Sequence, residues 1–161
     1  MTQVTLSLVV NSRGSFMREG SSRALSSDRD RTRFLERRRM AGAILIGGNT
    51  ARVEPYEKTP VPLIIVSRSM LRVKNPRAQI WNCTPKLALH KARELYGDGL
   101  HIEGGPHFFQ PILDDINSIF LTITDDTYES DVLFDWRSAF REFNVTSEEI
   151  IEKERFLELH R

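Results

Sequence analysis

Apolar residues come in short runs separated by glycine, proline and polar turns, and the spacing inside each run indicates the element it forms. Positions 4–10 are a β-branched run ending at Asn11-Ser12-Arg13-Gly14, which predicts a buried strand followed by a turn. Positions 15–22 are polar, contain a glycine and predict a loop. Ser26, Ser27 and Asp28 offer N-cap oxygens before a stretch without glycine or proline that lasts to Gly42, so a helix is expected over 28–41. Its apolar stripe is thin. Phe34, Leu35 and Met40 are expected to pack inward, with the arginines left on the rim.

Positions 43–46 predict a second strand, broken by Gly47-Gly48-Asn49-Thr50. A third is expected over 61–67, its start confined by Pro60 and Pro62 to a place where missing amide donors do no harm. Thr84-Pro85 supplies a cap and a proline at the first helical position, and Leu87, Ala88, Lys91 and Leu95 follow at helical spacing until Gly97. A short strand at 100–102 runs into Glu103-Gly104-Gly105-Pro106, followed by a brief helix over 107–114 and a strand over 119–123. Extended arms over 140–150 and 154–160 close the chain around Glu152-Lys153, with Phe156, Glu158 and His160 on one face. Strands alternating with helices predict an α/β fold, a mainly parallel central sheet with helices on both faces, and the arms predict an antiparallel C-terminal edge. No repeat or linker divides positions 1–161, which read as one domain.

Composition narrows the partners. Lysine and arginine number 23 against 22 acids, and a formal net charge of +1 gives no global field for nucleic acid or an anionic membrane, so a small-molecule substrate is expected. Basic residues gather over 13–39, where a solvated helix face and an anion site are both open readings. The single cysteine, Cys83, suits a reducing compartment. No apolar run approaches the ~20 residues of a membrane helix, and positions 1–10 lack the pattern of a secretory leader, so a cytoplasmic protein is expected. His90, His101, His107 and His160 show no ligand spacing, and no metal site is expected.

The candidate chemistry lies where strand-like runs end in Gly-Gly, at Gly47-Gly48 and again at Gly104-Gly105. Glycine lets backbone amides approach a ligand closely, and a following helix start adds free N–H groups, an arrangement that suits a pyrophosphate. Neither pair fits the Gly-x-Gly-x-x-Gly fingerprint or a phosphate loop. Thr50 follows the first pair as a ligand hydroxyl or a helix cap, and Glu103 stands at the carboxyl end of a central strand, where open α/β sheets place their ligands.

These residues resemble the reductase domain of the bifunctional riboflavin-biosynthesis deaminase-reductase family, which shares its fold with dihydrofolate reductase. The resemblance runs over positions 4–124. It is carried by Ser22-Arg23-Ala24-Leu25-Ser26, by the 43–50 segment ending in Gly47-Gly48-Asn49-Thr50, by Glu54-Pro55, by the strand at 64–67 and by Ile102-Glu103-Gly104-Gly105-Pro106. It implies a dihydrofolate-reductase-like three-layer fold, NADPH as cofactor, and hydride transfer to the opened ribosyl carbon of a phosphorylated aminopyrimidine. It implies that Ala24, Gly47, Gly48, Thr50, Glu54, Gly104, Gly105 and Pro106 bind the cofactor. Ser22 and Arg38 would hold substrate, Arg38 by its phosphate, and Glu103 would orient or protonate it. Relatives commonly pair through the sheet edge, so a homodimer is expected. Arg13 departs from the family, whose first strand usually ends in Ser-Leu-Asp-Gly. Two further expectations therefore stand beside the first: a dihydrofolate or pteridine reductase gripping its ring through Asp28 or Asp30, and a nucleotide-binding module without catalysis.

Overall fold

The computed structural model describes residues 3–18, 21–69 and 71–161. Met1, Thr2, Glu19, Gly20 and Met70 lie outside the described residues, and with them part of the loop expected over 15–22 and of positions 1–10.

Strands β1 (Thr5–Asn11), β2 (Ala43–Gly47), β3 (Leu63–Val66), β4 (Ala78–Trp81), β5 (Leu100–Ile102), β6 (Ser118–Thr124), β7 (Asn144–Ile151) and β8 (Glu154–His160) form one sheet. Its order is β4-β3-β2-β5-β1-β6-β8-β7. Pairing is parallel from β4 through β6, and β8 joins β6 antiparallel with β7 at the edge, as the α/β reading expects.

The two faces of the sheet are unlike. Leu6 and Val10 of β1, Leu45 of β2, Ile102 of β5 and Ile119 and Leu121 of β6 point to one face, into a single apolar cluster. Helix α3 (Pro85–Tyr96), the short α4 (Pro106–Phe109), the 3-10 turn at Gln110–Asp115 and an aromatic group of Phe109, Phe134, Phe140 and Phe143 complete that cluster. Helix α3 is capped as expected, with Thr84 Oγ1 accepting from Leu87 N at 3.2 Å. Its buried side is Ala88, Leu89 and Ala92, while Leu87 and Leu95 face solvent.

Helix α1 (Asp28–Met40) covers the opposite face, with Ser27 as its N-cap. The expected inward stripe is corrected here: Met40 is 65% exposed, Phe34 and Leu35 are half-buried, and the buried residues of α1 are Asp30 and Arg38. The strands beneath explain why. Alternation that sends Leu6 and Ile102 to the apolar cluster turns Thr5, Ser7, His101 and Thr122 toward α1, so the helix meets hydroxyls and an imidazole. Polar side chains satisfy that floor better than methionine would.

Three elements escape the hydrophobic pattern: β4, the short α2 (Gly48–Val53) and α5 (Trp136–Ala139). The first C-terminal arm starts at Asn144 instead of 140, because Phe140 and Phe143 are drawn into the aromatic group.

Candidate active site

The carboxyl ends of β1, β2, β3 and β5 open into a cleft of about 800 Å³. Its walls come from both Gly-Gly corners, the polar side of α1, the end of β3 and the loops after β1 and β6.

The two corners form one wall. Gly47 is the N-cap of α2 and Gly105 the N-cap of α4, and Thr50 Oγ1 accepts from Gly105 N at 3.3 Å. Of its two open readings the helix cap fails, since α2 has no side-chain cap; Thr50 instead clasps one corner to the other while lining the cleft. A Cβ on Gly104 would lie 2.9 Å from Phe108 Cδ1 and 3.1 Å from Gly47 N, and one on Gly48 2.7 Å from Ser67 Oγ. Nothing lies within 4 Å of a Cβ built on Gly105, which lines the cleft. A Cβ on Gly47 would lie 3.0 Å from Phe108 Cβ, so Gly47, Gly48 and Gly104 are held by close packing, and Gly105 leaves room for a ligand. Pro106 also lines the cleft, as does Ser67-Arg68 at the end of β3.

Glu103 continues β5 onto the α1 face. Arg38 Nε donates to its Oε1 at 3.1 Å and Oε2 at 2.9 Å, Arg38 Nη2 to Oε1 at 2.7 Å, and Tyr56 OH to Oε1 at 2.9 Å. The ion pair is nearly closed to solvent, with side chains 6% and 1% exposed. Burial alone would pull the Arg38 pKa down, but the hydrogen bonds and charge of Glu103 outweigh it and raise it. Burial, then the Glu103 charge, pushes Tyr56 well above the ordinary phenol value, so its hydroxyl stays protonated. Arg38, expected on a substrate phosphate, thus has a protein carboxylate as its partner, and that carboxylate lies under Arg38 and Tyr56.

His101, two residues before Glu103 on the same face, is fully buried and bonds Thr5 Oγ1 through Nδ1 at 2.7 Å. Burial first, then Arg37 and Arg38, pulls its pKa to about 3. The ring is neutral, so the 3.8 Å approach of Nε2 to Glu103 Oε2 is no ion pair, and Nε2 has no hydrogen-bond partner among the described residues.

The remaining expected residues divide. Glu54 accepts from Ser22 N and Ser22 Oγ, both at 2.6 Å, and from Ser21 Oγ at 3.2 Å, so it clasps the loop before α1 at the cleft wall. Ser22 lines the cleft with its hydroxyl committed to Glu54. Ala24 is exposed and outside the lining: the turn closed by Leu25 N on Ser22 O buries Leu25 and sends Ala24 to solvent. Arg13 lies away from the cleft, on a separate depression with Asp135 and Arg155, so it brings no cation to the site. Asp30 is buried, accepting from Thr122 Oγ1 and Ser26 Oγ, each at 2.6 Å, whereas Asp28 is exposed.

Lining residues that escaped the sequence reading include Ser7, Arg31, Arg37, Tyr56, Arg52 and Arg68. Tyr56 was within reach of the Glu54-Pro55 motif, two positions on. Arg31 and Arg37 carried no signal beyond the general basicity of 13–39, and Ser7 none beyond its alternation with Leu6 and Leu8. Burial, Arg38 and Arg23 lower the Arg31 pKa, and neither Arg31 nor Arg23 has an ion-pair partner among the described residues. No cluster of metal-ligating side chains occurs among the described residues, and none of their helices is long and apolar enough to cross a membrane.

A sheet of this order with a cleft at its carboxyl edge defines the architectural class of the dihydrofolate-reductase-like proteins, and solved structures agree. A diaminohydroxyphosphoribosylaminopyrimidine deaminase/5-amino-6-(5-phosphoribosylamino)uracil reductase from Thermotoga maritima superposes with a TM-score of 0.78 at 16% identity, over 98% of this chain and 56% of its own. The chain thus spans little more than half of that protein. A pyrimidine reductase-like protein from Corynebacterium diphtheriae gives 0.73 at 15% identity, over 99% of this chain and 91% of that one. Dihydrofolate reductase from Enterococcus faecalis, complexed with NADP(H) and RAB-propyl, gives 0.72 at 15% identity, over 99% and 96%. No family model matches the chain, and no curated protein matches it significantly in sequence.

Proposed function

We propose that the chain is an NADPH-dependent reductase acting on a ribosylated aminopyrimidine phosphate, the chemistry of riboflavin biosynthesis. One observation carries this reading: the Thr50 to Gly105 hydrogen bond joins both Gly-Gly corners into one cleft wall, with open space at Gly105. Those corners fit a diphosphate. Gly47, Gly48, Gly104, Gly105 and Pro106 would hold it through main-chain groups, and Ser67, Arg68 and Arg52 would favour a cofactor with a further phosphate. NADPH, when bound, supplies the hydride. The protein supplies alignment and charge. Arg31 and Arg23 take the place expected of Arg38 at the substrate phosphate, because Arg38 is spent on Glu103. Glu103 orients substrate through the Arg38 and Tyr56 groups it holds.

Titration with NADPH and NADH tests the cofactor, with tighter NADPH binding expected; binding of neither nucleotide defeats the reading. Loss of reduced-nicotinamide absorbance on adding the phosphoribosyl aminopyrimidine tests the reaction.

A second reading has its own observation. Asp30 lies buried on α1 and lines the cleft, as a pterin-gripping carboxylate would. Oxidation of NADPH by dihydrofolate would favour it.

The same reading places the enzyme in the cytoplasm as a homodimer. Strand β7 is an edge whose Val145 and Ile150 are exposed, a surface suited to a second copy. Sedimentation showing only monomer at micromolar concentration would remove the dimer.

A further inference from the structure

In the polar layer under α1, Arg37 is left without a carboxylate among the described residues. Arg38 is taken by Glu103, and Asp30 by Ser26 and Thr122. Arg37 points about 100° further round the helix and lies over β1 and β6. There Nε donates to Ser7 Oγ at 2.9 Å, and the guanidinium stands 4.7 Å from the centroid of the Phe120 ring. Its Nη groups have no hydrogen-bond acceptor and no ion-pair partner among the described residues. Burial lowers the Arg37 pKa, and the charges of Asp30 and Glu103 offset this only in part. Arg37 is half-buried, so water can reach its free N–H groups, and a ligand that displaces this water must bring an acceptor of its own.

Both Arg37 and Ser7 line the cleft. Because Ser7 Oγ already accepts from Arg37, its own proton is free to donate, and the two side chains present donors. Asp30 sits on the same helical face two turns earlier, and its charge acts on the Arg37 guanidinium. Each Asp30 oxygen accepts one hydroxyl and keeps a lone pair, so Asp30 presents an acceptor. Donors beside an acceptor complement a ring edge that carries a carbonyl oxygen next to an N–H.

We propose that Arg37, with Ser7, is a specificity-determining subsite that reads the carbonyl oxygen of a lactam or ureide ring, while Asp30 takes the neighbouring N–H. The assignment rests on the cleft being the substrate site of the proposed reductase, and adds the residue that selects an oxo ring over its amino counterpart. A ring with an amino group at that position would set donor against donor and leave Arg37 desolvated.

5-Aminouracil and 2,4-diaminopyrimidine test this when titrated by NMR into the protein alone and into protein saturated with NADPH. The wild type is expected to prefer 5-aminouracil about tenfold, the worth of one hydrogen bond to a charged group. Arg37→Leu should erase the preference, and Arg37→Lys, which still donates, should restore part of it. NADPH affinity should not change in either variant. Where Arg37→Leu does not fold, Ser7→Ala decides: it should cut the preference about threefold, as loss of one neutral hydrogen bond would. A wild type without preference, a preference that survives Arg37→Leu, no effect of Ser7→Ala, or no binding of either ring would each overturn the assignment. Failure of NADPH to bind, with the ring preference intact in the protein alone, would instead sink the reductase reading and leave Arg37 assigned.

Discussion

Arg38 grips Glu103 through two nitrogens, with Nη2 2.7 Å from Oε1 and Nε 2.9 Å from Oε2, and Tyr56 closes the carboxylate from a third side. Helix α1 is thereby pinned to the end of β5 by a buried ion pair instead of by apolar packing. Removing one partner would leave the other charged and dry. Glu103→Ala is therefore expected to destabilise the protein by about 3–5 kcal/mol, and Arg38→Met combined with Glu103→Leu by much less. Urea denaturation of the single and double variants checks this; equal losses would mean that the pair adds nothing specific.

The neighbouring glycines separate packing from binding. Gly104→Ala would press a methyl onto Phe108 and onto the backbone of Gly47, so a loss of about 1–3 kcal/mol is expected. Gly105 has an ordinary φ of -75° and open space at its Cβ, so Gly105→Asp should fold with stability changed by less than about 0.5 kcal/mol. Its carboxylate would repel a diphosphate, and NADPH affinity should fall at least about tenfold. Melting curves and nucleotide titration on the two variants distinguish these effects. Gly105→Asp binding NADPH as tightly as wild type would remove the diphosphate from that corner.

Most of the sheet was legible because each buried strand is a compact apolar run, and both Gly-Gly corners were legible as interruptions of such runs. The face under α1 was not. Period-2 alternation in β1 reveals that Thr5 and Ser7 point away from Leu6, but the sequence does not show that polar helix residues will be laid over them. The helix consequently looked poorly amphipathic, when Arg38 and Asp30 are the side it buries. Strand β4 was hidden for another reason: Ala78-Gln79-Ile80-Trp81 is a four-residue edge whose Gln79 and Ile80 are exposed, too short and too wet to show a period. The ion pair across 65 residues between Arg38 and Glu103 depends on chain topology, which local pattern does not encode.

The hairpin between β7 and β8 turns on two non-glycine residues in the left-handed region, Glu152 with φ 48° and Lys153 with φ 71°. Side chains disfavour that conformation by about 1–2 kcal/mol per residue, and Asn-Gly is the pair such a two-residue turn prefers. Replacing Glu152-Lys153 by Asn-Gly should therefore stabilise the protein by about 1 kcal/mol. The Arg29 contact to Glu152 is 3.9 Å long and on the surface, so its loss costs little. Thermal unfolding at fixed pH gives the answer, and a lower melting temperature would show that the native side chains contribute more than their backbone costs.

His101 gives the protein an acid limit of its own. The unfolded ring takes a proton near the ordinary histidine value of about 6.5, while the folded ring stays neutral until about pH 3. Between those values the unfolded state binds the extra proton, so stability contributed by the neutral ring is lost as the pH falls through that window. The slope from this one group is on the order of 1 kcal/mol per pH unit. Below about pH 3 both states are protonated and the slope ends. His101→Gln keeps an acceptor for Thr5 but has nothing to titrate. It should be less stable than wild type at pH 7 and lose stability more slowly from pH 6 to pH 4. Denaturation midpoints of the two proteins over that range decide the point, since parallel slopes would mean that His101 is protonated in the folded state after all.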